Sequence, residues 1–255
     1  MNRIQHIFKE RSKKVIPFIT AGYPNKDDSL GMVLAAESAG ASMIEIGMPF
    51  SDPLADGPII QESSQIALNN GVTLSWIINL VSEIRKESDI PLALMGYVNP
   101  LINFGFEDFI NEVSAVGVDG LIVPDLPPEE GSDYVFMAKE KNISPILLVA
   151  PNTPSDRINK ISALARDLLY CVSILGITGG SCSNNEKINE YMMRVKENSV
   201  CPYVVGFGIK NNKDVIDINR HAHGAVVGSA IMKKIKNSTN PMRIVEEYVR
   251  SLLNE

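Results

Sequence analysis

The chain has 255 residues, 45% of them hydrophobic, with a formal net charge of −6. That length fits one large domain or two small ones, and the acidic balance argues against a nucleic-acid footprint, since the only notable basic cluster is Arg11-Ser12-Lys13-Lys14. The three cysteines, Cys171, Cys182 and Cys201, lack paired or metal-type spacing and suit a reducing compartment. The first twelve residues are polar, and no apolar run approaches the roughly 18 residues that a membrane helix needs. A cytoplasmic location is expected.

Ile4, Ile7 and Phe8 have the i, i+3, i+4 spacing of a short N-terminal helix. VIPFIT (15–20) follows as the first strand run, then a helix from about Lys26 with Leu30, Val33 and Leu34 on one stripe. The second strand run is Met43 to Ile46. Helical stretches are expected at 58–70 and 74–86, the latter with Ile77, Leu80, Val81 and Ile84 at i, i+3, i+4, i+7. PLALM (91–95) is the third strand run, and Phe106, Phe109, Ile110 and Val113 mark the next helix. The remaining strand runs are 119–125, 143–151, 168–174, 201–208 and 224–230. Helices at 128–141, 155–165, 184–198 and 211–220 alternate with them, and the last helix carries Met242, Val245, Val249 and Leu252.

This gives eight strand runs, each followed by a helix. Their apolar residues are near-continuous, as in strands covered on both faces of a parallel sheet. Eight such units in this length predict an α/β fold, a (β/α)8 TIM barrel with an extra N-terminal helix. A doubly wound open sheet is the alternative, but no G-x-G-x-x-G follows the first strand run. No composition break divides the chain, so residues 1–255 are expected to form a single domain.

Active sites of such barrels lie beyond the strand C-termini. The residues expected there include an unusual stretch, EIGMPFSDPLADGP (45–58), with the carboxylates Glu45, Asp52 and Asp56. Buried strands rarely end in a carboxylate, because an unpaired charge is costly to desolvate. Met43, Glu45 and Gly47 share one strand face. On the inner face, Glu45 would have its pKa raised by desolvation, which suits an acid–base group. Asp56, on the following loop, can stay ionised in a wetter setting. Two carboxylates in different environments divide acid and base work. Gly206-Phe207-Gly208 and Gly228-Ser229-Ala230 follow the seventh and eighth runs, where these barrels often bind phosphate through backbone N–H groups. Gly179-Gly180 could add a third wall. The His221-x-His223 pair lies at the opposite edge, so no metal site is expected.

GMPFSDPLADGP, with Glu45 two residues ahead, closely resembles the signature of the tryptophan synthase α chain. The resemblance extends through PFITAGYP (17–24), MGYVNP (95–100), VPDLPPEE (123–130), APNTP (150–154), GITG (176–179), GFGI (206–209) and GSAI (228–231). It implies retro-aldol cleavage of indole-3-glycerol phosphate to indole and glyceraldehyde 3-phosphate, with no cofactor in this subunit. It also implies a pyridoxal-phosphate-dependent β chain as partner in an α2β2 complex, to which indole passes. Carried over by motif position, Glu45 and Asp56 are the catalytic carboxylates, and Tyr170 positions Glu45 or the substrate. Phe18, Ile60, Leu94 and Tyr97 would wall the indole. Thr178, Gly179, Phe207, Gly208, Gly228 and Ser229 would hold the remainder of the substrate, chiefly its phosphate. Asp52 reads as a loop-shaping or interface residue. Many relatives carry a basic residue near the end of the sixth strand, whereas here no Arg follows Gly176 until Arg194. Two other readings share parts of this pattern. A different phosphosugar isomerase or epimerase barrel leaves the acidic stretch unexplained, and a silent activator of a partner would be expected to lack Glu45 or Asp56.

Overall fold

The computed structural model describes residues 2–9, 12–172, 183–206, 208–236 and 238–254. The strands are β1 (Val15–Thr20), β2 (Ile44–Gly47), β3 (Leu92–Met95), β4 (Gly120–Ile122), β5 (Ser144–Pro145), β6 (Leu147–Val149), β7 (Leu169–Val172), β8 (Tyr203–Gly206) and β9 (Gly224–Val227). All pairings are parallel, in the order β5-β4-β3-β2-β1-β9-β8-β7-β6. The two ends of that order are successive pieces of one run, separated by Ile146 alone. Pro145 has no N–H for the ladder, which accounts for the break. Ile146 N–H still donates to Leu121 O at 3.0 Å. The expected fifth run is therefore split in two, and the sheet curls into the expected barrel.

Inner and outer faces separate cleanly. Ile16, Met43, Ala93, Ile122, Ile146, Leu168, Tyr170, Val204 and Val226 form one buried cluster, drawn from every strand position round the ring. Their alternate neighbours, among them Val15, Ile44, Leu92, Leu121, Leu147, Leu169, Val205 and Ala225, pack outward against the helices. This period-two division lets near-continuous apolar strands be buried on both sides. Helix α1 (Arg3–Ile7) sends Ile4 into the inner cluster and closes the barrel bottom.

The helices that follow are α2 (Asp28–Ser38), α3 (Pro58–Asn69), α4 (Leu74–Glu87), α5 (Val98–Phe104), α6 (Phe106–Ala115), α7 (Ser132–Glu140), α8 (Ser155–Ala165), α9 (Ser183–Asn198), α10 (Asn212–His221), α11 (Ser229–Ile235) and α12 (Pro241–Leu253). Two of them were not expected. In α5, Pro100 occupies the first turn, where its missing N–H costs nothing. In α11, the chain leaves β9 at Val227 and turns helical at Ser229, so the run expected as strand to residue 230 ends three residues earlier. The strand expected over 119–125 is likewise only Gly120–Ile122, and the helix expected from 128 begins at Ser132. Among the described residues no helix is long and apolar enough to cross a membrane.

Candidate active site

Glu45 lies at the centre of β2, flanked in register by Phe18 of β1 and Ala93 of β3. Its neighbours Ile44 and Ile46 pack outward, so the carboxyl points into the barrel. It is 1% exposed, and Oε2 has no hydrogen-bond partner among the described residues. Burial pushes its pKa up to about 8, because the charged form loses water and gains little in return. The sequence-based expectation of an inner, desolvated carboxyl agrees with this geometry.

Asp56 is half-buried on the loop between β2 and α3. Tyr97 Oη donates to its Oδ2 at 2.9 Å, and Ala55 N–H donates to the same Tyr97 oxygen at 3.0 Å. Desolvation raises the Asp56 pKa, and the Tyr97 bond opposes that rise by favouring the anion. The wetter setting expected for Asp56 is only half right: it is less buried than Glu45, yet its carboxyl is also shifted up. Tyr170 lies inside the barrel on β7, with its pKa held well above normal by burial and then by the charges of Glu45 and Asp56. A Cβ built on Gly206 would fall 2.3 Å from the Tyr170 hydroxyl oxygen, so β8 needs glycine there.

A cleft beside these groups is lined by Phe18, Gly47, Met48, Asp56, Ile60, Ser64, Met95, Gly96 and Tyr97. It is mostly apolar, with one carboxylate on its wall. Glycine at 47 is required by the Phe18 ring, which comes within 2.4 Å of where a Cβ would sit. Ile60 is held from behind by a buried hydroxyl chain: Ser63 Oγ donates to Ile60 O at 2.8 Å and lies 2.7 Å from Thr20 Oγ1.

Across the mouth, Gly228 abuts Phe18, with 3.6 Å between a built Cβ and the Phe18 Cβ, and Ser229 opens α11. Gly208 has φ +30°, and a Cβ there would meet nothing within 4 Å. Gly208 thus leaves open space beyond β8. Among the described residues no cluster of three or more His, Cys, Asp or Glu side chains could hold a metal ion.

Known proteins resemble the chain along its whole length. The family profile described as "Tryptophan synthase alpha chain" matches residues 4–253. The tryptophan synthase alpha chain of Petrotoga mobilis is 44% identical over 251 residues, covering 98% of this chain and 97% of that one. The chain belongs to the tryptophan synthase alpha chain family. Among solved structures, the alpha subunit from Legionella pneumophila superposes with a TM-score of 0.91 at 31% identity, covering 99% of this chain and 97% of that one. A tryptophan synthase complex from Pyrococcus furiosus matches with a TM-score of 0.88 at 35% identity, covering 95% and 98%.

Not every site residue expected from the alpha-chain resemblance reaches the cleft. Leu94 does not: it packs outward against the helices, while its neighbour Met95 lines the cleft. The expectation missed by one residue because a fully apolar strand, PLALM, carries no polar alternation to mark its inner face. The inner position of Ala93, in register with Glu45, settles it. Phe18, Ile60 and Tyr97 line the cleft. Thr178, Gly179 and Phe207 lie outside the described residues. The Tyr97–Asp56 bond was not foreseen, and the aromatic two residues beyond a strand end was its only sequence signal. His223 accepts a hydrogen bond from Tyr203 N–H at Nδ1, 3.3 Å away, and packs edge-on against the Tyr203 ring.

Proposed function

We propose that Glu45 and Asp56 are the working pair with which this chain, a lyase subunit of the tryptophan synthase alpha family, cleaves indole-3-glycerol phosphate to indole and glyceraldehyde 3-phosphate. The observation that carries the assignment is Glu45 itself, a carboxyl inside the barrel whose pKa of about 8 keeps it protonated at neutral pH.

Phe18, Ile60, Met95 and Tyr97 flank the indole in the cleft, and Asp56 accepts its N–H. Protonated Glu45 gives its proton to indole C3, which places positive charge on the ring. Asp56, as an anion, stabilises that charge. The Glu45 carboxylate then takes the proton of the C3′ hydroxyl. The C3–C3′ bond breaks, its electrons return to the ring, and the departing fragment leaves as an aldehyde. The acid is restored for the next turn. Both protons are moved by Glu45, and pyridoxal phosphate belongs to the partner. Tyr170 lies close enough to both carboxylates for each to raise its pKa, and it keeps the acid and its substrate in place. The phosphate sits against the N–H groups of Gly208, Gly228 and Ser229.

One TIM-barrel domain spanning residues 1–255 carries the whole site. A β chain is the expected partner in an α2β2 complex in the cytoplasm, in keeping with the complex solved for the Pyrococcus furiosus relative. The loop 49–58 is the natural contact face, with Leu54 94% exposed at its tip.

The test is indole release from indole-3-glycerol phosphate by the full chain, with and without a β chain. Glu45→Gln is expected to lower kcat/KM by orders of magnitude while glycerol phosphate still binds, because Glu45 belongs to neither glycine loop. Full activity in Glu45→Gln would remove Glu45 from the role.

A further inference from the structure

One side chain, Tyr97, meets loop 49–58 near both of its ends. Near its start, the Phe50 ring lies 5.4 Å from the Tyr97 ring at 33°. Near its end, the Tyr97 oxygen accepts from Ala55 N–H at 3.0 Å and donates to Asp56 Oδ2 at 2.9 Å. Tyr97 itself has a rigid mount. It precedes the first turn of α5, directly beyond β3. Gly96 N–H donates to Ile122 O at 3.1 Å, and Val98 N–H donates to Asp125 Oδ1 at 3.0 Å, so the backbone on both sides of the tyrosine is tied to β4 and the loop beyond it.

From this geometry we infer that Tyr97 is a positioning residue for Asp56: its hydroxyl fixes Oδ2, favours the anion, and leaves Oδ1 to accept the indole N–H. The inference rests on the reading of Asp56 given above and deepens it, since there Tyr97 is only a wall of the cleft. The hydroxyl oxygen accepts one N–H and donates its single proton, so it cannot rotate away without losing a bond. A carboxylate on a loop beside an apolar cleft would otherwise be disfavoured as an anion, and a phenol that donates to it offsets part of that cost. The other titratable groups nearby work against the anion or are remote from it. Tyr170, on β7, feels the Asp56 charge from inside the barrel together with that of Glu45, and Asp125 acts on Tyr97 from beyond β4. Asp52, on the same loop, points its Oδ2 at the Ser51 hydroxyl. No lysine or arginine is bonded to Asp56 among the described residues, which leaves the phenol as its only side-chain donor there.

The experiment is the pH dependence of kcat/KM for indole-3-glycerol phosphate cleavage by the full chain, comparing the wild type with Tyr97→Phe and Phe50→Leu. Tyr97→Phe keeps the ring and its contact with Phe50, so the fold is retained and only the hydroxyl is lost. The expected result is a fall in kcat/KM of about tenfold at the acidic end of the profile, with the acid limb moved to higher pH. The direction follows because a lost donor to the carboxylate raises its pKa. Phe50→Leu, which weakens the ring contact but leaves the hydroxyl, is expected to keep the limb in place. An unshifted limb in Tyr97→Phe, or an equal shift in Phe50→Leu, would overturn the positioning role while leaving the proposed activity intact. A wild-type chain that released no indole would overturn both.

Discussion

The burial that suits Glu45 to the acid role proposed for it is at the same time costly to the fold. Its pKa is about 8 in the folded chain, against 4.5 for an ordinary glutamate. Between those values the folded state holds a proton that the unfolded chain has released. Stability therefore falls as pH rises through that window and levels off above it. The contribution is fully present below the unfolded pKa and is lost by the time the folded group ionises. Glutamine has no such dependence. Glu45→Gln is thus expected to melt higher than the wild type near pH 8 and close to it near pH 5, a difference readable by calorimetry at the two pH values. The same substitution that is expected to abolish the proposed chemistry should stabilise the protein. Gly206 tests the other side of the site. Its missing Cβ makes room for the Tyr170 hydroxyl, 2.3 Å from where that atom would sit. Gly206→Ala is expected to push Tyr170 off its place and lower kcat/KM by about one order of magnitude or more, with the barrel still folded by circular dichroism.

At the scale of elements, the turn that ends α8 departs from ordinary backbone. Arg166 has φ +62° and ψ −45°, and Asp167 N–H donates to Ala165 O at 2.7 Å, which makes the turn a γ-turn of the strained, positive-φ kind. The turn places the Asp167 carboxylate to receive Gln5 Nε2 at 2.7 Å and Ser144 Oγ at 2.6 Å. A non-glycine residue in such a region costs roughly 1–3 kcal/mol, and the extra unfolded-state freedom of glycine costs roughly 0.5–1 kcal/mol. Arg166→Gly should therefore gain about 1 kcal/mol, measurable as a higher urea midpoint at unchanged m-value. Strain of this kind leaves no trace in a sequence, because nothing about an arginine announces it. Other features were plain. The alternation of strand and helix runs was readable because buried parallel strands are continuously apolar, and Glu45 stood out as a carboxylate interrupting one. That same continuity hides which residue of each pair faces inward, so the sequence points to Leu94 where Met95 lines the cleft. Helix α5 was hidden by Pro100, which the first turn tolerates, and α11 by the apolar Gly224–Val227 run leading into it. The glycine loops were legible as glycines, whereas the bond between Tyr97 and Asp56 depends on a loop path that no spacing reveals.

Across the whole molecule, the two ends of the barrel serve different ends. The top holds Glu45, Asp56 and the glycine loops. The bottom holds a second buried carboxylate, Asp119, whose surroundings are the opposite of those of Glu45. Asp119 is 3% exposed and accepts from Leu92 N–H at 2.9 Å, Arg85 Nη2 at 2.8 Å and Arg3 Nη1 at 3.2 Å, while its backbone carbonyl receives Asn2 Nδ2 at 3.1 Å. Among the described residues one carboxylate is therefore left without a partner at Oε2, where the proposed reaction exchanges a proton, and the other is saturated where helix, strand and plug must be joined. The network ties α1 to β3, α4 and the start of β4, and Ile4 follows it into the barrel interior. Breaking a buried ion pair from one side costs about 3–5 kcal/mol, since the other charge stays behind without compensation. Asp119→Ala strands Arg85 in this way, although Arg85 also donates to the carbonyls of Gly117, Ser88 and Ile90. The expected outcome is a loss of about 3–5 kcal/mol in urea unfolding. At a temperature where the variant remains folded, its KM for indole-3-glycerol phosphate should match the wild type, because no atom of the network reaches the cleft. A raised KM would mean that the plug end and the active end are coupled through the barrel core, and the division of labour between the two carboxylates would have to be abandoned.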